Sequence, residues 1–355
     1  INYFVMHVEI QSHAISVNEF EALTETIPAF HPAYLPPWCE IVGKSLGQTV
    51  YFLEAREEGK LYGILPLVLM KSLLFGKHLI GLPYVNAGGC LVPESPRREE
   101  IEGCLIDEAV RLADRWDVRY LELRNEREIS HPALSWERRG KVLMRRELPQ
   151  EWETLWQQLG PKVRNQVRKG EKADLRITWG KEDLLSPFYE IFAETMRNVG
   201  TPVYPKRLFA EILRQLPDEA EIGVVSMANG RPVAAGLLVH GRGITEVPSA
   251  GALRFSHAFC ANMFLYWHLL RHSVESRHAR YFDFGRSSRE SNTWRFKKQW
   301  GATEVPIVWK YYVRHGTIDD VRPDNAGYSL AIRVWKRLPV WLTKILGPRI
   351  VRGIP

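Results

Sequence analysis

The chain has 355 residues, 45% of them apolar and 25% charged, with a formal charge of +7. That composition excludes a disordered or collagen-like chain and supplies core material for two ordinary domains. The positive balance favours an anionic partner and is silent on fold.

In chain order, the first elements expected are a hairpin and a helix. "TVYFLEA" (residues 49–55) and "EGKLYGILPLVL" (58–69) are apolar or alternating runs joined across Gly59, the pattern of a β-hairpin. No run spans a bilayer: the best, Leu61 to Leu82, is broken by Gly63, Pro66, Lys71, Gly76 and Lys77. Asn2 to Ile10 lacks the basic flank of a signal peptide. In "REEIEGCLIDEAVRLADRW", Ile101, Leu105, Ala109 and Leu112 recur at helical spacing. The short alternating run "VRYLELR" (118–124) is a strand, and Gly140 precedes a β-rich run, "KVLMRREL".

The second half opens on "LGPKVRNQVRKGEK" (159–172), where Pro161 suits a first helical turn and Arg164, Arg168 and Lys172 share one face. That face is either solvated or a phosphate-binding edge. "EIGVVSMA" and "NGRPVAAGLLVH" (229–240) form another hairpin across Gly230. "CANMFLYWHLLRHSVES" is helical, and "ARYFDFG" (279–285) is a strand. A short basic, aromatic helix then ends at Gly301, before the strand "VPIVWKYYV".

The two halves repeat. Arg119-Tyr120 matches Arg280-Tyr281, and Glu122 matches Asp283. Gly140 lies 21 residues after Arg119, as Gly301 does after Arg280, each expected to close a short helix. The unit is hairpin, further strand, helix, strand, short helix, glycine, strand. That is the order of a GNAT acyltransferase domain, and two in tandem resemble the FemAB family. The group associated with exosortase and exopolysaccharide systems is the nearest likeness, through "HPAYLPPWCEIV" (31–42) and "GLPYVNAGGCL" (81–91). The fold expected is α/β (α+β): two GNAT-like domains, 1–150 and a catalytic 151–318, each a mixed sheet flanked by helices, followed by a basic amphipathic tail, 319–355.

Other chemistries lack their motifs. "GRSS" is not a nucleophile elbow. His268 and His272 have zinc spacing without the H-E-x-x-H glutamate and read as a structural pair, so no metal is expected. Cys39, Cys90, Cys104 and Cys260 form no C-x-x-C pair and read as reduced thiols of a cytoplasmic protein. Direct acyl transfer remains. An amine attacks an ester or thioester carbonyl, which requires alignment and positive charge at the oxyanion but no covalent enzyme intermediate.

"FDFGRSSRESNTWRFKKQWGA" (282–302) gathers rings and cations as a site would. Its "RFKKQWG" resembles the family's Phe-Lys pair ahead of a glycine. The resemblance implies that Lys297 stabilises the tetrahedral species and that the Phe296 carbonyl contacts the reacting amine. Asp283 is either a general base or the partner of Arg286 or Arg295 in a turn-fixing ion pair. Substrate binding is expected from Arg164, Arg168, Arg286, Arg295 and Trp300, and from Tyr84 and Asn86, with the acceptor between the halves.

No tightly bound cofactor is expected. The donor is aminoacyl-tRNA, as the family implies, or acyl-CoA; "GALRFSHAFCAN" (251–262) has Arg254 but lacks the glycine-rich pyrophosphate turn of acetyl-CoA enzymes. The acceptor implied is an amine of an envelope saccharide or peptidoglycan-type precursor, with no role for DNA. The alternatives are an acyl-CoA-dependent N-acyltransferase and a non-catalytic, membrane-associated saccharide-binding protein. The stretch from Tyr328 to Pro355 carries six Lys/Arg and no acid, with tryptophans among its apolar residues. It either packs on the protein or lies peripherally on the inner face of the cytoplasmic membrane.

Overall fold

A computed structural model of the protein describes residues 6–72, 76–86, 88–316 and 326–354. Residues 1–5 of the first expected domain, 87 of "GLPYVNAGGCL", 317–318 of the second domain, and 319–325 and 355 of the tail lie outside them.

The elements run β1 (His7–Gln11), α1 (Val17–Thr24), α2 (Pro37–Leu46), β2 (Thr49–Glu57), β3 (Lys60–Ser72), β4 (Gly76–Gly81), α3 (Arg98–Arg115), β5 (Tyr120–Asn125), β6 (Trp136–Arg138) and β7 (Lys141–Glu147). There follow α4 (Trp152–Gln158), α5 (Pro161–Lys172), β8 (Arg176–Gly180), α6 (Leu185–Val199), α7 (Lys206–Gln215), β9 (Ala220–Ser226), β10 (Pro232–His240), β11 (Ile244–Ala252) and α8 (Ala261–Glu275). The chain closes with β12 (Tyr281–Ser288), α9 (Asn292–Gln299), β13 (Thr303–Pro306), β14 (Val308–Val313), α10 (Ala326–Trp335) and α11 (Val340–Val351).

They divide into two compact units. One holds residues 1–141, 306–322 and 352–355, the other 142–305 and 323–351. Each is built on a seven-stranded mixed sheet, in the order β1-β2-β3-β4-β5-β14-β6 and β8-β9-β10-β11-β12-β7-β13. The two orders are the same order in repeated form. In each, one parallel pair sits centrally, and its registers match: Ile80 faces Glu122 as Glu246 faces Asp283. The protein is therefore two tandem GNAT-like domains, as the repeat predicts.

The division departs from the expected boundaries at the strands after Gly140 and Gly301. β7 follows the first half in sequence but completes the second sheet, and β14 follows the second half but completes the first. Sequence order places each strand with the half it follows; pairing places it beside the other parallel strand. The helix expected before Gly140 is also absent. "SHPALS" makes a turn, with His131 Nδ1 accepting from the Ala133 N–H, and leads into β6. Pro132 has no amide hydrogen to donate.

The first core packs α3, through Ile101, Leu105, Ala109 and Leu112, against β2, β3 and β5. In the second, α8 is buried on more than one side, by Phe264, Leu265, Trp267 and Leu269, because α4, α5 and the sheet all pack on it. The four cysteines are free thiols.

Candidate active site

The two parallel strand pairs differ in what happens beyond their last matched residues. In the second unit, β11 and β12 pair from Ile244–Tyr281 to Glu246–Asp283, although β11 runs on to Ala252 and β12 to Ser288. The reason lies in β11. Val239 of β10 faces Glu246 while Leu237 faces Ser249, so Val247 and Pro248 form a bulge at that point. A bulge bends its strand and re-aims side chains, and Pro248 has no N–H for a ladder. The strands fork directly after the two carboxylates.

In the first unit the corresponding place is closed. The Gly88 N–H donates to Arg124 O at 2.8 Å, and the Arg124 N–H returns to Gly88 O at 3.2 Å. A side chain at Gly88 would stand 2.1 Å from Gly81 O, so only glycine lets these backbones meet. The Arg124 guanidinium fills the space beside them. It is bonded to Glu122 at 2.6 Å and to Val85 O at 2.8 Å and lies over the Trp309 ring. Of the two equivalent forks, the second unit's is the one with no strand bridge across it among the described residues.

Asp283 stands at the base of that fork and is fully buried. Its Oδ2 accepts from Arg145 Nη2 at 2.9 Å and Nε at 3.2 Å, and its Oδ1 accepts from the Gly285 N–H at 2.7 Å. Neither Arg286 nor Arg295 holds it; the ion-pair partner is Arg145, on the neighbouring strand β7. Phe282 and Phe284 point the other way, into the core.

Gly285 has φ +74°, where a side chain would be strained. Its carbonyl accepts from Lys297 Nζ at 3.0 Å, and the Arg286 carbonyl accepts from the same ammonium at 2.9 Å. Lys297 is 9% exposed. Burial lowers its pKa to about 8, although Asp283 and Glu246 pull it upward. An ammonium has three donors, and two are committed to these carbonyls.

Lys297 is brought inward by α9. Ser291 caps this helix, accepting from the Trp294 N–H. The last turn tightens: the Trp300 N–H goes to Lys297 O and the Gly301 N–H to Lys298 O. Arg146 donates to Trp300 O and to Gln158 Oε1 and so caps the negative end of the helix.

The remaining expected residues are dispersed. Trp300 has no exposed surface; its ring packs with Tyr266 and Phe296 rather than facing solvent. Arg286 and Arg295 are exposed. On α5, Arg164 donates to Gln157 O and Arg168 lies over the Trp156 ring, while Val163, Val167 and Gly170 form the buried face. Tyr84 and Asn86 belong to the first unit, where Tyr84 donates to Arg352 O at 3.1 Å.

Sequence reasoning missed Arg145, Glu246 and the bulge. Their signals were present: a charge inside each of two apolar strand runs, "VLMRRE" and "ITEVP", and a proline inside the second. It also missed a hub in which Glu221 Oε1 accepts from His240, His272 and Arg277. His272 stacks on Trp179, with ring centroids 3.9 Å apart.

Residues 161–298 match the family model for an acetyltransferase (GNAT) domain. The matched stretch has the GNAT fold and contains Asp283 and Lys297. No curated protein matches the sequence significantly. Among solved structures, FemX matches with a TM-score of 0.64 at 14% identity, over 86% of this chain and 97% of that one. The C-terminal domain of a putative lysylphosphatidylglycerol synthetase from Agrobacterium fabrum matches at 0.53 and 13%, over 84% and 92%. A tandem GNAT protein from the clavulanic acid biosynthesis pathway matches at 0.51 and 13%, over 88% and 100%. At these identities the likeness is one of fold.

Proposed function

We propose that the second unit transfers an acyl or aminoacyl group to an amine at the fork between β11 and β12. The observation that carries this reading is the open fork itself, with a buried, partly desolvated ammonium held at its base. The amine nitrogen bonds to the donor carbonyl carbon. The oxyanion collapses, the carbon–oxygen or carbon–sulfur bond breaks, and the amine's proton leaves with the departing group. Lys297 supplies positive charge to the oxyanion, and the Phe296 carbonyl orients the amine.

Asp283 is a positioning residue here. Both its oxygens are committed, to Arg145 and to Gly285, and they fix the carbonyl that holds Lys297. The donor is aminoacyl-tRNA or acyl-CoA. The match of 161–298 to an acetyltransferase domain favours acyl-CoA, whereas the FemAB-like motifs favour aminoacyl-tRNA. Arg164, Arg168, Arg286 and Arg295 would meet either anion. The FemAB-like resemblance, with its exosortase-associated group, points to an envelope saccharide or peptidoglycan-type precursor as acceptor, met in the cytoplasm.

The test is a binding screen of the purified protein against acyl-CoAs, charged tRNA and nucleotide-linked or lipid-linked saccharides. Mass spectrometry of the acceptor with the donor that binds would follow. An amide product lost in Lys297→Met supports the proposal. Binding of saccharide alone, with no transfer from any donor, overturns it.

A further inference from the structure

The basic tail left open by the sequence resolves into two faces. Its inner face packs within the second unit. Thr343, Gly347 and Val351 of α11 are buried, and a side chain at Gly347 would meet the Val203 backbone at 2.9 Å. Lys344 is paired with Glu190 of α6 at 2.7 Å, and Arg197 of α6 donates to Leu338 O. Trp335 of α10 is buried as well.

The outer faces are apolar and exposed. Trp341 (61%) and Ile345 (52%) stand one turn apart on α11, followed by the exposed Arg349. On α10, Leu330 (62%) and Val334 (52%) are again one turn apart, with Arg333, Lys336 and Arg337 exposed beside them. No Asp or Glu occurs from Tyr328 to Pro355. Exposed large apolar side chains are ordinary when scattered singly. Here six, with Ile332 and Ile350, lie on two short helices that carry or adjoin four exposed cations and no acid.

We propose that this outer face of α10 and α11 is a docking surface for an anionic lipid bilayer. The charge argues for the occupant: an acid-free cationic surface complements an anionic headgroup layer. Trp341 has the amphipathic ring that settles at the headgroup level, and Leu330, Val334 and Ile345 supply the apolar area that an interfacial helix buries. Contact of this kind is peripheral. Among the described residues no helix is long and apolar enough to cross a membrane. The inference stands apart from the acyl-transfer reading, and its test uses no substrate.

The experiment is co-sedimentation of the full chain with vesicles of phosphatidylglycerol in phosphatidylcholine, against phosphatidylcholine alone. Deleting the tail would strip the packed face from α6, so point changes on the exposed face are used instead. The wild type should bind the anionic vesicles, release them at high salt and ignore the neutral ones. Arg333→Glu with Arg337→Glu and Arg349→Glu should lower partitioning at least on the order of 100-fold. Trp341→Ser with Ile345→Ser should weaken binding at unchanged charge. Quenching by brominated phosphatidylglycerol should be smaller in Trp341→Phe. Melting curves of each variant should match the wild type, since every changed side chain is exposed. Equal binding of the charge variant and wild type, or no binding by the wild type, overturns the proposal. So does a stable dimer that Trp341→Ser dissolves, which would make the occupant a second copy.

Discussion

The fully buried Asp283 and the part-buried Arg145 form an ion pair between adjacent strands of the second sheet, 2.9 Å apart at its shorter contact, in halves of the sequence 138 positions distant. The pair fixes Asp283, which fixes Gly285, which receives Lys297. Removing Arg145 leaves the fully buried Asp283 carboxylate without its cation, and this costs far more than the intact pair contributes. Arg145→Met should therefore destabilise the protein by about 3–5 kcal/mol in urea unfolding. Asp283→Leu with Arg145→Met should recover part of that loss. A single variant no weaker than an ordinary surface change would mean the pair does not hold the fork.

Gly88→Ala tests the closed fork of the first unit. The added carbon would collide with backbone at Gly81, which cannot rotate away as a side chain can. The change should cost more than about 2 kcal/mol, the range of steric faults in a core. Gly103→Ala is the control. It lies in α3 with nothing within 4 Å of the new carbon, and helix propensity should make it stabilising by about 1 kcal/mol. Similar melting temperatures for the two variants would refute the steric account.

The sequence carried the repeat because repeats survive in local patterns. The hairpin turns at Gly59 and Gly230, the faces of α3 and α8, and the matched Glu122 and Asp283 are all readable from spacing. The exchange of β7 and β14 was not readable, because strand partnership is decided by long-range hydrogen bonds that leave no local period. Asp283 was singled out as a carboxylate of the site, yet its partner could not be, since Arg145 lies far off in sequence while Arg286 and Arg295 lie near. Trp300 resembled a site residue for a like reason: a ring beside cations looks the same on paper whether it faces solvent or core.

The Glu221 hub predicts an acid limb in stability. Burial alone would raise this carboxyl's pKa, but bonds from His240, His272 and Arg277 outweigh it and hold the group well below 4.5. The unfolded carboxylate thus takes up a proton at higher pH than the folded one, and stability falls as pH drops below about 4.5. His240 acts in the same sense: burial keeps its pKa below the usual 6.5 despite Glu221, so the unfolded imidazole protonates first. Glu221→Gln should be weaker than wild type at pH 7 and should lose less on going to pH 3. Parallel stability curves for the two proteins would show that the hub does not titrate.

Lys297 decides the mechanism, and three of its properties can be separated. Its charge should matter in the transition state: Lys297→Met should lower turnover by roughly 10²–10³-fold, the cost of losing one oxyanion donor, with substrate affinity changed less. Its hydrogen bonds should matter to the fold, because the Gly285 and Arg286 carbonyls lose their donor; about 1–3 kcal/mol should be lost. Turnover must accordingly be compared at a temperature where both proteins are folded by circular dichroism. Lys298→Ala controls for position, since this neighbour is exposed and lies over the Trp294 ring; it should change neither quantity much. The third property is titration. With a pKa near 8, an ammonium that stabilises an oxyanion is lost as pH rises, so activity should fall above about pH 8. Lys297→Arg, charged throughout, should lack that falling limb whatever its absolute rate. If activity instead rises through pH 8 in the wild type and not in Lys297→Arg, Lys297 is the base that takes the amine's proton. Wild-type turnover in Lys297→Met would remove it from the chemistry and leave it as a brace for β12.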